Sequence, residues 1–253
     1  MNKKIIFICS IAVLTLFFGI KLNNFLIGQK ILGTSTTAEN LKIKPIRRYI
    51  KPANNRYCLC FTMAGMKFDI PKTDTVRTFK YKDVFRSFLF RDSSGLKIYK
   101  DSIKIDFSKI LTSMEPTYNN VIGNYIKNHK IVSSFDLLLL TYNKTPDDIS
   151  FFNLSKENTI IQYTFLKLKD LSEVTGSEKG IYYFILNNIK AFQYGSPETR
   201  KITFVSVFIN KGDEYLLNFT GFKQEQIDYV INSIDKFQNS VYSGVKTKDE
   251  ANR

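Results

Sequence analysis

Sixteen consecutive residues without a charge, Ile5 to Ile20, follow Lys3-Lys4 and precede Lys21. A short basic stretch followed by an apolar run of this length reads as a Sec-type export or anchoring segment. As a helix the run rises roughly 24 Å, short of the roughly 30 Å hydrocarbon core of a bilayer. Leu22, Phe25, Leu26 and Ile27 complete a span if Lys21 snorkels to the interface. Signal cleavage needs small residues just after the run. Phe17-Phe18-Gly19-Ile20-Lys21 supplies no such site, and Thr36-Thr37-Ala38 lies far downstream. Cys9 sits inside the run and no cysteine follows it at a lipoprotein position. The expectation is an uncleaved anchor spanning the cell membrane from Ile5 to Ile20. Secretion after cleavage is the alternative.

Orientation follows less directly. Lys3 and Lys4 flank one end of the run and Lys21 and Lys30 the other, a tie under the positive-inside rule. The cluster Lys42, Lys44, Arg47, Arg48, Lys51 favours a cytoplasmic C-terminal side, but long following domains translocate largely regardless of charge. The short Lys-Lys start places the domain on the extracytoplasmic side.

The net charge of +14 resembles a nucleic-acid signal until it is located. Residues 1–30 carry +4 and residues 39–56 a net +5, leaving +5 for the rest of the chain. Basic residues beside a bilayer attract anionic lipid headgroups. Lys42, Lys44, Arg47, Arg48 and Lys51 are therefore read as a membrane-surface segment or a solvated basic linker. No RNP, zinc-finger or helix-turn-helix signature accompanies the charge, so nucleic acid is not expected as a partner.

At 253 residues, with 22 Phe and 14 Tyr, the chain can build a substantial core. Its organisation reads as a signal anchor or signal peptide over 1–30, a basic linker over 31–56, one α+β domain over 57–240 and a flexible tail over 241–253. Tyr57–Met63 and Met66–Ile70 read as strands around Ala64-Gly65, with Pro71 stopping the second. Residues 79–90 fit helix or strand. Leu96–Tyr99 and Ile103–Phe107 read as strands. The middle is helical: Pro116–Lys130, a helix capped by Ser133 or Ser134, a helix starting at Thr145-Pro-Asp-Asp148, and one capped by Ser155. Ile181–Tyr194, Lys201–Asn210 and Glu214–Thr220 read as three strands with a turn at Asn210-Lys-Gly-Asp213. Lys223–Gln238 is an amphipathic helix whose stripe Ile227, Val230, Ile231, Ile234, Phe237 must bury itself. The predicted class is α+β: an antiparallel meander with a packed C-terminal helix and a helical middle segment, behind one N-terminal transmembrane or signal helix.

Two stretches resemble the PsbP-like α/β sandwich, which has a central antiparallel sheet. One is Gly65-Met-Lys-Phe-Asp-Ile-Pro71, similar to that family's opening strand. The other is Gly212-Asp-Glu-Tyr-Leu-Leu-Asn-Phe-Thr220 with the helix that follows, ending Asn232-Ser-Ile-Asp-Lys-Phe237. The segment from Thr112 to Leu171 is more helical than that pattern and reads as an insertion. The resemblance implies an exported, non-enzymatic binding or assembly factor, and it carries over no catalytic residue.

Catalytic signatures are sparse. The single histidine, His129, lies between Asn128 and Lys130 and reads as a solvated surface residue. Asp147-Asp148 fits the positive first turn of a helix better than a hydrolytic pair. Phosphate-binding, nucleophile-elbow and zincin motifs are missing from the sequence. Cys58 and Cys60 project to one face of a strand, as small core residues or as a strained redox pair. No cofactor or metal is expected. Tyr182-Tyr183-Phe184 and Phe151-Phe152 are aromatic clusters that pack in the core or meet a partner. The expected function is a membrane-anchored, extracytoplasmic, non-enzymatic binding or assembly protein with an unidentified protein partner. The alternatives are an envelope hydrolase with unidentified catalytic carboxylates, and an immunity or inhibitor protein that binds one partner.

Overall fold

The computed structural model describes residues 3–33, 40–50, 58–63, 65–71, 75–82, 84–100, 116–171, 180–198, 201–209 and 213–242. The chain divides into two units: Met1–Lys44 with Ile105–Gly176, and Pro45–Lys104 with Ser177–Arg253. The first is helical and the second is built on a sheet. Chain order explains the split. The sheet unit is interrupted after residue 104 and resumes at 177, so the helical middle segment is an insertion between two of its strands.

The sheet unit contains β1 (Ile46–Arg47), β2 (Leu59–Met63), β3 (Met66–Ile70), β4 (Thr75–Tyr81), β5 (Phe85–Phe90), β6 (Gly95–Lys100), β7 (Ile181–Ile185), β8 (Ile189–Tyr194), β9 (Ile202–Ile209) and β10 (Glu214–Thr220). Eight of these form one sheet in the order β1-β7-β8-β9-β10-β6-β5-β4, while β2 and β3 form a separate hairpin. Two meanders, β4-β5-β6 and β7-β8-β9-β10, are joined where β10 pairs antiparallel with β6, Leu217 opposite Ile98 and Phe219 opposite Leu96. The sheet is mixed, not purely antiparallel as predicted, because β1 pairs parallel with β7. Two-residue β1 carries no periodicity that a sequence reading could detect.

Alternation along the strands decides what the sheet buries. Phe88, Phe90, Leu96, Ile98, Val205, Val207, Tyr215, Leu217 and Phe219 belong to one core cluster. The helix α5 (Gln224–Tyr242) contributes Ile227, Val230, Ile231 and Ile234, and β3 contributes Met66, Phe68 and Ile70. The four from α5 are four of the five residues of the stripe expected from the sequence; the fifth, Phe237, is half-buried outside this cluster, with Lys67 Nζ 4.5 Å from its ring centre. The helix start is fixed by Gly221, whose φ of +68° only glycine adopts without strain, and by the Gln226 side chain accepting from the Lys223 N–H at 2.9 Å.

Residues 79–90 resolve as two strands turning at Lys82, which has φ +48°. The run Ile181–Tyr194 is a hairpin, not one strand: it breaks after Ile185 and resumes at Ile189, with Asn188 held by the Asp235 carboxylate at 2.7 Å. The predicted strand Ile103–Phe107, the turn residues 210–212 and the tail beyond 242 lie outside the described residues.

The helical unit comprises α1 (Lys3–Leu32), α2 (Pro116–Asn128), α3 (Ser134–Asn143) and α4 (Lys156–Leu171). With α5 the chain has five α-helices among the described residues. Ser133 caps α3 by accepting from the Asp136 N–H, and Ser155 caps α4 by accepting from the Asn158 N–H at 3.1 Å, as predicted. Thr145-Pro-Asp-Asp148 starts only a single 3-10 turn, followed by another at Phe151–Asn153. Its capping geometry forms without a helix behind it. Packing of α4 against α1, α2 and α3 encloses Ile122, Ile160, Phe165 and Leu168.

Truncation at the centre of the α5 stripe tests this packing. Ile231→Ala, at a fully buried site, is expected to lower unfolding stability by about 2–5 kcal/mol in denaturant melts, whereas Lys236→Ala on the exposed face changes it by about 0.5 kcal/mol or less.

Candidate functional site

Helix α1 has two halves with different surroundings. From Ile11 to Ile20 its large side chains are open: Val13 is 65% exposed, Leu16 67% and Phe18 49%. At Lys21 the surroundings change. Lys21 Nζ donates to the Leu154 carbonyl at 2.9 Å, and Asn24 Nδ2 donates to the same oxygen at 3.1 Å. Further along, Gly28 faces the Tyr163 ring so closely that a Cβ there would lie 2.4 Å from it. Ile27 and Ile31 pack on the α2–α4 core. Lys21 therefore turns toward its own protein, and Ile27 belongs to the core instead of completing a span. One N-terminal helix, over Ser10–Leu32, is long and apolar enough to cross a membrane or to act as a signal sequence.

The turn Phe151–Asn153 lies against the open half of α1. Phe151 and Ile11, Leu14, Phe18 and Leu22 line one groove of about 630 Å³. The Phe152 side chain is 64% exposed and meets the Phe151 ring edge to face at 5.8 Å. Of the other aromatic cluster, Phe184 is buried in the sheet core, with Tyr182 packed partly against it.

The base of the helical unit is organised by Lys169, which has no exposed surface. Its ammonium reaches four backbone carbonyls: Leu41 at 2.8 Å, Ile43 at 2.6 Å, Tyr142 at 2.9 Å and Lys144 at 2.8 Å. Burial pushes its pKa down to about 8, partly opposed by Asp148. At neutral pH it remains the cation, and its N–H groups gather the carbonyls of two chain segments, 41–43 and 142–144, onto α4. Beside it, the Asp148 carboxylate accepts from the Thr145 N–H at 2.8 Å and from Thr145 Oγ1 at 2.9 Å, and Lys44 pairs with it at 3.2 Å. Burial raises the Asp148 pKa, but these hydrogen bonds and the Lys44 charge outweigh it and hold the carboxyl below its ordinary value. Asp148 thus braces a turn, as the sequence implied. Nothing in the sequence marks Lys169, one of several lysines in α4.

The basic segment is partly occupied by internal pairs. Lys44 holds Asp148, and Arg48 pairs with Asp228 at 3.0 Å. Arg47 lies over the Tyr49 ring at 5.2 Å and Lys42 is exposed, while Lys51 lies outside the described residues. Cys58 and Cys60 are both free thiols. Cys60 opposes Asp69 in the β2–β3 hairpin, and burial followed by the Asp69 carboxylate raises its pKa, so the reactive thiolate is disfavoured. His129 stacks on Tyr125 at the surface with Nδ1 2.9 Å from the Tyr125 carbonyl. Among the described residues no three of His, Cys, Asp and Glu gather as metal ligands. An open groove of about 890 Å³ at the start of α5 collects Glu198, Glu225, Lys201 and Lys223, all exposed to water.

A second open apolar surface lies on the sheet face turned away from the core, at the β4–β5–β6 end. Phe79 and Tyr81 are 54% and 55% exposed, and Phe85 bridges Phe79 and Tyr99 with ring centroids 6.0 and 4.8 Å apart. Arg77, Phe79, Leu89 and Lys97 line a depression of about 430 Å³ there. Among the described strands β4 is also the last of the sheet. The alternation Arg77-x-Phe79-x-Tyr81 carried this signal once residues 75–81 are read as a strand.

No family model matches the chain, and comparisons with curated proteins and with solved structures likewise find no match.

The Lys169 cage predicts a pH signature. An amine titrating near pH 8 when folded and near 10.5 when unfolded binds fewer protons in the folded state across that window. Stability therefore rises with pH from about 8 to about 10.5, by about 3 kcal/mol in total. Comparison of wild type with Lys169→Met in pH-dependent denaturation should show this slope only in the wild type.

Proposed function

We propose that this chain is a membrane-anchored, extracytoplasmic binding or assembly protein that performs no catalysis. The observation that carries the reading is the open apolar half of α1, continuous with a half packed into the helical unit. A run of exposed Ile, Leu and Phe side chains on a firmly seated helix is stable only in a medium as apolar as itself. The PsbP-like resemblance of Gly65–Pro71 and Gly212–Phe237 is in keeping with an exported binding role. The acids in the groove beside α5, Glu198 and Glu225, are water-exposed and lend no support to hydrolysis.

The binding surface in this reading is the Phe79–Tyr81–Phe85–Tyr99 face. Its aromatic centre and the cations Arg77, Lys82 and Lys97 suit a protein segment with apolar side chains and acidic flanks. An open aromatic face of this kind also suits the inhibitor reading, in which one partner binds tightly and stoichiometrically.

Two outcomes are expected. The full-length protein resists alkaline extraction from membranes, and its sheet unit is digested when protease is added to intact cells; extraction into the soluble fraction, or protection of the sheet unit, contradicts the placement. The double variant Phe79→Ser/Tyr81→Ser, at exposed positions, loses at least about tenfold in affinity for a partner captured by cross-linking, with an unchanged melting curve.

A further inference from the structure

We propose that the Phe151–Asn153 turn is a lipid contact, with Phe151 and Phe152 seated at the headgroup–acyl boundary beside α1 and the groove between them filled by a phospholipid acyl chain. This rests on the reading of α1 as the membrane anchor, which fixes the depth of everything attached to it.

The uncharged run Ile5–Ile20 rises roughly 24 Å, against a hydrocarbon core of roughly 30 Å. A span that is too short draws flanking apolar groups into the bilayer. The turn supplies such groups at the right height. Ile11, Leu14, Phe18 and Leu22 form one face of α1, and Phe151 completes the groove along it, so its ring lies beside the last turns of the apolar run. The turn cannot swing away freely, because Lys21 and Asn24 both donate to the Leu154 carbonyl immediately after it. Phe152 stands out from this fixed turn, 64% exposed. The flanking residues Ser150, Asn153, Ser155 and Lys156 are exposed and polar. That is the profile of an interfacial element: an aromatic tip aimed at the acyl boundary with a polar rim behind it. A second copy of the chain would leave the polar rim unmatched, whereas headgroups solvate it.

The chain contains no tryptophan, so one introduced residue is a clean reporter. Phe152→Trp and Phe18→Trp full-length proteins are reconstituted separately into phosphatidylcholine–phosphatidylglycerol vesicles. In matched vesicles the phosphatidylcholine carries bromine near the glycerol end of its chains. Both tryptophans are expected to emit toward the blue and to lose most of their emission to bromine. Quenching at position 18 with water-like, unquenched emission at 152 overturns the lipid contact and leaves the anchor standing. Blue emission at 152 that resists bromine and varies with the protein-to-lipid ratio also overturns it, in favour of a second copy. No quenching at position 18 removes the anchor reading itself. Phe152 is largely exposed, so the substitution does not test folding.

Discussion

A helix whose stretch from Ile11 to Ile20 is open hydrocarbon and whose later turns are packed protein needs two solvents along its length. That constraint, set within α1, governs the rest of the proposed account. The changeover is sharp because Lys21 and Asn24 spend their donors on one carbonyl, Leu154, exactly where the apolar run ends. The close approach of Gly28 to Tyr163 then seats the remaining turns on α4. The apolar run and the packed turns belong to one continuous helix, whose later part is seated on the helical unit.

Beside its hydrophobic core, the helical unit is organised by a buried charge. Lys169 places its N–H groups among four carbonyls from the segments around Leu41, Ile43, Tyr142 and Lys144. Burying an ammonium costs stability, and the hydrogen bonds offset that cost by satisfying backbone oxygens that loops would otherwise leave buried and bare. The sheet unit relies on ordinary means: alternating strands, one amphipathic helix and a hairpin. Its outer face at β4–β6 is left apolar and open, which is why binding is assigned there.

Much of the architecture could be read from local pattern. The α5 stripe, the β2–β3 hairpin around Gly65, and the caps at Ser133 and Ser155 are signals whose cause and effect lie within a few residues. Features that escaped reading are those decided at a distance. The parallel β1–β7 pairing joins residues far apart in sequence, and the break in Ile181–Tyr194 depends on Asp235 reaching back to Asn188. Lys169 looks like any lysine until the fold surrounds it with oxygen. The candidate surfaces were half legible: the apolar run announced itself, but its partner Phe151 and the face at Phe79 and Tyr81 required the packing and the strand assignment. Cys58 and Cys60 drew attention by spacing alone, and both are free thiols in the structure.

Hydrogen–deuterium exchange on the full-length protein in vesicles tests the two-solvent claim most directly. The amides of Ser10–Ile20 are predicted to stay protected long after those of the exposed segment around Val132 have exchanged, and to lose that protection when the bilayer is removed. Equal exchange of Ser10–Ile20 with and without the bilayer would contradict the account.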